Sequence, residues 1–173
     1  FRGVFDGNGK NIDAYLHSDY RFTSLFGYLN GATVKNLSVS GYIGGSWYVG
    51  AISSYAYNSE FENCHNSAYI ESDLYEYETG GLSAYADSTN FTNCSNSGTI
   101  YSSSQYTGGL IGHAESCNVY DCRNDGNIIC SDKDVFVSSA YSNYTGGLVG
   151  YAHNVYEISS CVNNAAITGV GSL

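Results

Sequence analysis

Six cysteines are the residues of this chain whose type and spacing most directly suggest chemistry. Four recur at similar intervals and two lie outside that series: Cys64, Cys94, Cys122 and Cys161 in the first group, Cys117 and Cys130 in the second. Zinc is disfavoured because the chain has no C-x-x-C pair and no paired Cys/His spacing. If the four lie on neighbouring strands, about 4.8 Å apart, the remaining choices are disulfides or a stack of inward thiols.

The sequence leaves both choices open. Adjacent members of the series could bridge neighbouring strands, as Cys64–Cys94 or Cys122–Cys161. The thiol stack is favoured because Leu37 holds the same repeat position earlier in the chain, where a thiol would act as a small hydrophobic group. The two cysteines outside the series form a separate candidate pair that would close a short loop.

No arrangement typical of catalysis accompanies the cysteines. The four histidines fall at unrelated positions, and there is neither a G-x-S-x-G elbow nor a His–Glu metal motif. Polysaccharide lyases and hydrolases need facing carboxylates or a calcium and arginine cluster, and arginine occurs only at positions 2, 21 and 123. We therefore expect a protein that is not an enzyme, and keep a polysaccharide-degrading enzyme as the third hypothesis.

Calcium is the one cofactor that the acidic residues suggest. Acidic side chains cluster between Glu60 and Glu78 without Lys or Arg among them, and Asp6, Asn8 and Asp13 superficially suggest a calcium loop. Neither segment has the ordered ligand spacing of a calcium site, and the loop lacks the glycine and glutamate of an EF-hand. We expect a solvated acidic segment, a tight turn after Phe5, and no bound cofactor.

Four N-x-S/T sequons are candidate glycosylation sites if the protein is secreted by a eukaryote: Asn36, Asn90, Asn93 and Asn143. Asn36 and Asn93 share a repeat position beside the predicted core. Asn143 is the favoured acceptor, because it lies in a predicted long loop.

The elements that position these residues follow from a repeat. A Gly-Gly-Leu pattern is followed three residues later by Tyr or His and twelve residues later by Cys, as at Leu82 and Leu110. Related copies are centred on Leu25, Ile52 and Leu148. Periods of this size are typical of solenoids, in which each repeat buries its apolar face against its neighbours.

Each repeat contains three predicted strands, for example Gly108 to Ala114, Val119 to Cys122 and Gly126 to Cys130. Three apolar columns then converge on one interior: Leu25, Ile52, Leu82, Leu110 and Leu148; Val34, Phe61, Phe91, Val119 and Ile158; and Ile43, Ile70, Ile100, Ile128 and Ile167. The predicted fold is all-β, a right-handed parallel β-helix (β-solenoid) of about five to six coils of roughly 28 residues.

One asparagine column and two sets of aromatic residues accompany the core. Asn66, Asn96, Asn124 and Asn163 share one turn position, which predicts a ladder of stacked amides. Aromatic residues occupy positions three after and four before the anchors: Tyr28, Tyr55, Tyr85, His113 and Tyr151 in the first set, Tyr48, Tyr106 and Tyr144 in the second. Such a surface could stack against sugars or protein partners. Cross-strand packing that stiffens the solenoid is the favoured interpretation.

The net charge and composition of the chain argue against several classes of binding partner. A net charge of −10 with six Lys and Arg argues against nucleic acid and against anionic membrane surfaces. No apolar stretch is long enough to insert into a membrane. We expect residues 1–173 to form one solenoid domain, and the absence of an initiating Met suggests a segment of a longer protein.

The repeats resemble the GLUG motif, a β-solenoid repeat of large bacterial and protist surface proteins, including adhesins and the region flanking some immunoglobulin-A-cleaving proteases. The resemblance rests on residues 108–114 (GGLIGHA), 146–152 (GGLVGYA) and 93–100 (NCSNSGTI). It implies a scaffold for extracellular display or adhesion and names no reaction. Ser53-Ser54 and Ser83-Ala84 stand where later copies have an apolar residue followed by Gly.

The sequence therefore predicts an extracellular scaffold at the cell surface or secreted, either a rigid stalk or a filament-forming solenoid. Neither end shows a polar capping repeat, so we expect end-to-end self-association or continuation into further repeats. The alternative is an adhesive module that binds glycans or host surface proteins through the lateral tyrosine row.

Overall fold

The computed structural model describes residues 1–73, 77–131 and 144–170 and is a parallel β-solenoid. Five coils follow one long strand, β1 (Gly3–Ser18). Equivalent strands of the first and fifth coils are about four turns apart. None of the described elements is a helix with the length and hydropathy needed to cross a membrane.

The long last strand of coil 1 corresponds to two strands in coil 2 and to three shorter strands in each later coil. Coil 1 consists of β2 (Phe22–Thr23), β3 (Phe26–Asn30) and β4 (Ala32–Gly45). Coil 2 consists of β5 (Tyr48–Gly50), β6 (Ser53–Tyr57), β7 (Glu60–Asn66) and β8 (Tyr69–Ser72). Coil 3 consists of β9 (Glu78–Gly80), β10 (Ser83–Asp87), β11 (Asn90–Thr92), β12 (Ser95–Asn96) and β13 (Ile100–Ser102).

The last two coils repeat the same division. Coil 4 consists of β14 (Tyr106–Gly108), β15 (Ile111–Glu115), β16 (Asn118–Tyr120), β17 (Arg123–Asn124) and β18 (Ile128–Ser131). Coil 5 consists of β19 (Tyr144–Gly146), β20 (Val149–His153), β21 (Glu157–Ser159), β22 (Val162–Asn163) and β23 (Ile167–Val170).

All strand pairs are parallel and join a residue to its counterpart one coil away. The order β20-β15-β10-β6-β3 forms one five-stranded sheet and β19-β14-β9-β5-β2 forms another. The remaining strands belong to a 13-stranded sheet that contains the order β21-β16-β11-β7-β4. Registers such as Phe91↔Val119 and Ile100↔Ile128 confirm the predicted columns.

The first predicted strand of each repeat is wrong in one respect. The segment 108–114 is divided between β14 and β15, with a turn at residues 109 and 110. A Cβ on Gly108 would collide with the carbonyl oxygen of Ile111, so the chain can only turn this tightly where a side chain is absent. The paired glycines of the repeat therefore mark a corner of the coil, where the chain passes from one five-stranded sheet to the other.

The asparagine column forms the predicted amide ladder. Asn66 Nδ2 donates to Asn96 Oδ1 at 2.8 Å, and Asn96 and Asn124 each donate to the next Oδ1 at 2.9 Å. The main chain of the next coil and the ladder together require the second glycine of the repeat. A Cβ on Gly81 would collide with the carbonyl oxygen of Gly109 and would lie 2.8 Å from Asn96 Cγ. A Cβ on Gly109 would collide with the carbonyl oxygen of Gly147 and would lie 2.5 Å from Asn124 Cγ.

The serines that depart from the repeat pattern are buried and hydrogen-bonded. Ser53 Oγ donates to Ser83 Oγ at 2.8 Å, and Ser83 Oγ donates to the carbonyl oxygen of Tyr85. Ser24 Oγ and Ser54 Oγ lie 2.8 Å apart. The departures therefore replace apolar contact with hydroxyl pairs between coils, and the coil packing continues through them.

The fifth coil exposes the core columns. Ile128 is fully buried, whereas its counterpart Ile167 is 44% exposed. Val119 is likewise buried and its counterpart Ile158 is exposed. The apolar columns therefore end on an open surface made of β21, β22 and β23.

Candidate functional site

The two five-stranded sheets bring the predicted aromatic residues together on one lateral surface, which we call the aromatic face. Its first column runs along β3, β6, β10, β15 and β20 and consists of Tyr28, Tyr55, Tyr85, His113 and Tyr151. Its second column runs along β2, β5, β9, β14 and β19 and consists of Phe22, Tyr48, Glu78, Tyr106 and Tyr144. Phe22 and Glu78 complete the second column and were not predicted as members.

Rings in the first column stack on one another along the solenoid axis. Tyr55 is stacked on Tyr28 with ring centroids 5.0 Å apart and on Tyr85 at 4.6 Å, with interplanar angles of 18° and 15°. His113 interrupts this order and meets Tyr85 edge to face at 63°. Both faces of Tyr55 are thus covered by neighbouring rings, so a ligand could reach its ring edge and hydroxyl group but not its faces. The rings of this column therefore pack against one another across strands, as the sequence favoured.

The tyrosine hydroxyl groups are held by carboxylates one coil away. Tyr85 Oη donates to Glu115 Oε2 at 2.8 Å, and Tyr42 Oη donates to Glu71 Oε2 at 3.0 Å. Burial, followed by the hydrogen bond to Glu115, raises the pKa of Tyr85 well above its ordinary value. The bond from Tyr85 in turn lowers the pKa of the Glu115 carboxyl. These phenols are therefore neutral donors, and none is poised to act as a base.

The aromatic face changes where Glu78 and His113 stand in place of tyrosine in adjacent columns. His113 Nδ1 lies 3.7 Å from Glu78 Oε1, outside hydrogen-bond distance. Glu78 is 8% exposed, and both Glu78 Oε2 and His113 Nδ1 are buried without a hydrogen-bond partner. The negative charge of Glu78 adds to burial in raising the pKa of Tyr48 to about 12. A buried carboxylate without a full set of donors destabilises its surroundings.

A groove beside the first two coils combines aromatic side chains with a cation. Its volume is about 290 Å³, and it is lined by Arg21, Phe22, Tyr28, Trp47, Tyr48, Tyr55 and Tyr77. Trp47 and Tyr77 stack with centroids 4.5 Å apart and an interplanar angle of 6°. The guanidinium carbon of Arg21 lies 5.2 Å from the Trp47 ring centroid, a cation–π contact. Sequence reasoning missed Arg21, Trp47 and Tyr77, because their common position depends on how coils 1 to 3 stack.

Cys64, Cys94, Cys122 and Cys161 form one column beside the core, and all six cysteines of the chain carry thiols in this structure. The backbone N–H of Cys94 donates to Cys122 Sγ at 3.4 Å, and that of Cys122 donates to Cys161 Sγ at 3.4 Å. Each sulfur also donates to a main-chain carbonyl, as Cys122 Sγ does to the oxygen of Tyr120 at 3.1 Å.

The candidate pair outside this column is not joined. Cys117 Sγ donates to the carbonyl oxygens of Ala86 and Glu115 at 3.4 and 3.1 Å, whereas Cys130 Sγ lies 3.1 Å from Thr145 Oγ1. The two sulfurs have different partners because Cys117 follows β15 at a corner of the coil and Cys130 belongs to β18.

In two of the four sequons the side-chain nitrogen of the asparagine donates a hydrogen bond. Asn36 Nδ2 donates to Asp6 Oδ1 at 3.0 Å, and Asn93 Nδ2 donates to Asn63 Oδ1. Asn36, Asn63 and Asn93 all adopt left-handed backbone angles, with φ of 52°, 58° and 51°. Asn90 Oδ1 accepts from Asn118 Nδ2 at 3.0 Å. Asn143 lies outside the described residues.

The candidate calcium loop after Phe5 is an irregularity within β1, whose register against β4 shifts between Asp6 and Lys10, and not the expected turn between two strands. Asp6 Oδ1 accepts the backbone N–H of Asn8 at 2.9 Å, and Asn8 and Gly9 have φ of 51° and 67°. Bonds from Asn36 and Asn8 lower the pKa of the Asp6 carboxyl. Across residues 1–73, 77–131 and 144–170, no three His, Cys, Asp or Glu side chains lie together as a metal site would require. The acidic segment between Glu60 and Glu78 falls partly outside the described residues.

Glu78 could have been found from the sequence. It occupies the position four before the anchor Leu82, where the neighbouring repeats have Tyr48 and Tyr106. An acid in an aromatic column is the detectable signal. Its burial beside His113 is decided by the packing of two sheets and is not visible in the repeat.

Comparisons with known proteins agree with this architecture. A family model described as the GLUG motif matches residues 103–129, which include the Gly-Gly-Leu corner of coil 4 and Asn124 of the amide ladder. No curated protein matches the chain. One solved structure with a similar fold belongs to a Bacteroides ovatus protein described as an immunoglobulin A1 protease, with a TM-score of 0.52 and 14% sequence identity. The match covers 94% of this chain and 61% of the length of that chain, and at this identity it concerns the fold alone.

Proposed function

We propose that this β-solenoid, which carries a GLUG motif, is a rigid structural scaffold of an extracellular or cell-surface protein. The observation that supports a structural role is that side-chain ladders accompany the backbone ladders between coils. The amides of Asn66, Asn96, Asn124 and Asn163 are joined by hydrogen bonds of 2.8 to 2.9 Å. The rings of the aromatic face stack along the same axis. Both ladders resist bending or slippage of one coil relative to the next.

The open surface of coil 5 supports end-to-end association. Ile158 and Ile167 end two apolar columns and are exposed. The other ends of those columns are Phe5 and Leu16 of β1, which pair in register with Val34 and Ile43. If β1 of a second copy stacked in parallel on β21 to β23, apolar residues would meet apolar residues in both columns. We propose that a second copy covers this surface.

The test is electron microscopy and light scattering of the purified chain over a range of concentrations. Rods that lengthen with concentration are the expected result. Ile167→Lys places a charge in the open column and should abolish them, whereas Thr168→Lys on the same strand alters the opposite side of the sheet and should not. A chain that stays monomeric at high concentration, or that assembles equally well with both substitutions, would overturn the second-copy proposal.

A second candidate function is adhesion, and the groove beside Trp47 favours it. Four tyrosines, Trp47 and the Arg21 guanidinium line it, a combination that suits an acidic sugar or an acidic host protein segment. A glycan array and a surface-binding assay would test it. Binding that is lost in Arg21→Gln and retained in Arg123→Gln would support adhesion, and the absence of any bound glycan or host protein would count against it.

The proposed role is non-catalytic. Scarce arginine and the bonding of the Tyr85 hydroxyl to Glu115 favour this over polysaccharide cleavage. Release of reducing ends from a polysaccharide panel would contradict it, provided that the release is lost in Glu78→Gln.

A further inference from the structure

We propose that Cys161 and Cys122 form a reversible disulfide that fastens coil 5 to coil 4. It forms by thiol–disulfide exchange with a small disulfide such as oxidised glutathione. The proposal concerns a modification site and applies to coil 5 when no second copy covers it.

Accessibility selects Cys161 as the point of entry. Within the column, Cys64 is fully buried and Cys94 and Cys122 are each 1% exposed, whereas Cys161 is only partly buried. Cys161 is therefore the most accessible cysteine of the column for a small disulfide.

Position selects Cys122 as the partner. Strands β17 and β22 pair in register, with Arg123 opposite Val162, and the backbone N–H of Val162 donates to the carbonyl oxygen of Cys122 at 2.9 Å. The cysteines immediately before Arg123 and Val162 therefore lie one strand spacing apart, about 4.8 Å, within the Cα range of disulfides. The backbone N–H of Cys122 already contacts Cys161 Sγ at 3.4 Å.

The local hydrogen bonds favour Cys122 as the resolving thiol. A hydrogen bond from the Cys94 side chain, aided by the Cys94 backbone N–H, lowers the pKa of the Cys122 thiol. Burial raises the pKa of Cys94 well above its ordinary value, so the next thiol along the column is a poor competitor. Burial also raises the pKa of the Cys161 thiol, so the first exchange step is faster at alkaline pH. A thiolate attacks a disulfide, and a thiol does not.

The exchange takes place in two steps. The Cys161 thiolate attacks oxidised glutathione, forms a Cys161–glutathione mixed disulfide and releases one glutathione thiolate, which takes up a proton. The Cys122 thiolate then attacks the Cys161 sulfur, forms the Cys122–Cys161 bond and releases the second glutathione thiolate. In total the two protein thiols lose two hydrogens, and one oxidised glutathione is reduced to two glutathione molecules.

The experiment uses the full chain with Cys117→Ser and Cys130→Ser, so that only the column can react. After incubation with oxidised glutathione, mass spectrometry of the intact chain and of its peptides should show loss of two hydrogens and a Cys122–Cys161 link. A further Cys122→Ser substitution should stop the reaction at a glutathione adduct on Cys161. Cys161→Ser should prevent modification, and Cys64→Ser should leave the link unchanged. Circular dichroism identifies any variant that fails to fold.

A stable glutathione adduct on Cys161 in the chain that retains Cys122 would overturn the proposal, as would a Cys94–Cys122 link or no reaction. End-to-end assembly would cover Cys161, so the reaction is repeated in the Ile167→Lys background, in which the open surface is charged. A link formed in that background and absent from the assembled protein would support both proposals. A link that fails to form in either background overturns only the disulfide.

Discussion

Glu78 Oε1 and His113 Nδ1 lie 3.7 Å apart at the one position where each column of the aromatic face lacks a tyrosine or phenylalanine. The second carboxylate oxygen of Glu78 and the ring nitrogen of His113 are both buried without a partner. In the described residues only one other buried side-chain atom shares this condition, Ser103 Oγ. The pair is therefore a local weakness within an otherwise satisfied polar interior.

Glu78→Gln should stabilise the protein. The amide removes a buried charge, keeps the side-chain volume and can donate a hydrogen bond to His113 Nδ1. We expect a gain of about 1 kcal/mol in unfolding free energy, or about 2–4 °C in melting temperature. Glu62→Gln, at an exposed position, serves as the control and should leave the melting temperature unchanged. Equal or lower stability in the Glu78 variant would show that the carboxylate is not a weakness.

Gly108→Ala should destabilise the coil corner. A Cβ there would collide with the carbonyl oxygen of Ile111 and would lie 2.7 Å from the backbone nitrogen of Gly150 in the next coil. Since main-chain atoms on both sides must move, we expect a loss of about 1–3 kcal/mol in denaturant unfolding. Gly169→Ala meets nothing within 4 Å and is the matched control. Similar losses of unfolding free energy in both variants would mean that the close main-chain contacts at Gly108 do not cause the loss.

Asn96→Ala should cost more than Asn163→Ala. Asn96 is fully buried and bonds Asn66, Asn124, the carbonyl of Gly98 and the N–H of Gly98. Its removal leaves buried partners unsatisfied, at about 1–3 kcal/mol. Asn163 ends the ladder and is exposed, so water can replace its amide. Urea denaturation of both variants measures the difference, and a larger loss for Asn163 would contradict the ladder as a source of stability.

Tyr85→Phe should remove a pH-dependent part of the stability. The hydrogen bond from Tyr85, followed by that from His153, lowers the pKa of the Glu115 carboxyl. Because the folded-state pKa is lowered, the contribution is present above the ordinary carboxyl pKa of about 4.3 and is lost as the pH falls through the folded-state value. Melting temperatures of wild type and variant should therefore differ at neutral pH and converge in acid.

The control for this prediction is Tyr57→Phe, at a tyrosine that is 42% exposed. Its melting temperature should follow that of the wild type at every pH. A Tyr85→Phe deficit that persists well below the lowered folded-state pKa of Glu115, where the carboxyl is protonated, would assign the effect to ring packing and not to the bond with Glu115.

The repeat alone determined the fold class, the three apolar columns and the amide ladder. Each depends only on which residues recur at one coil period, as Asn96 and Asn124 or Ile100 and Ile128 do, and stacking places such residues in contact. The same logic placed Tyr55 beside Tyr85 and Cys94 beside Cys122. It also predicted that Cys64, Cys94, Cys122 and Cys161 share a column, although spacing could not choose between thiols and disulfides.

Only the tertiary structure decided what depends on contacts between different repeat positions. The corner at Gly108 is set by a collision with Ile111, and the need for Gly109 is set by the carbonyl of Gly147 in the next coil and by the amide of Asn124. The approach of Glu78 to His113 joins two sheets, and the groove beside Trp47 joins three coils. These contacts follow from the angle at which the chain turns between strands and from side-chain rotation, and neither is encoded in the period of the repeat.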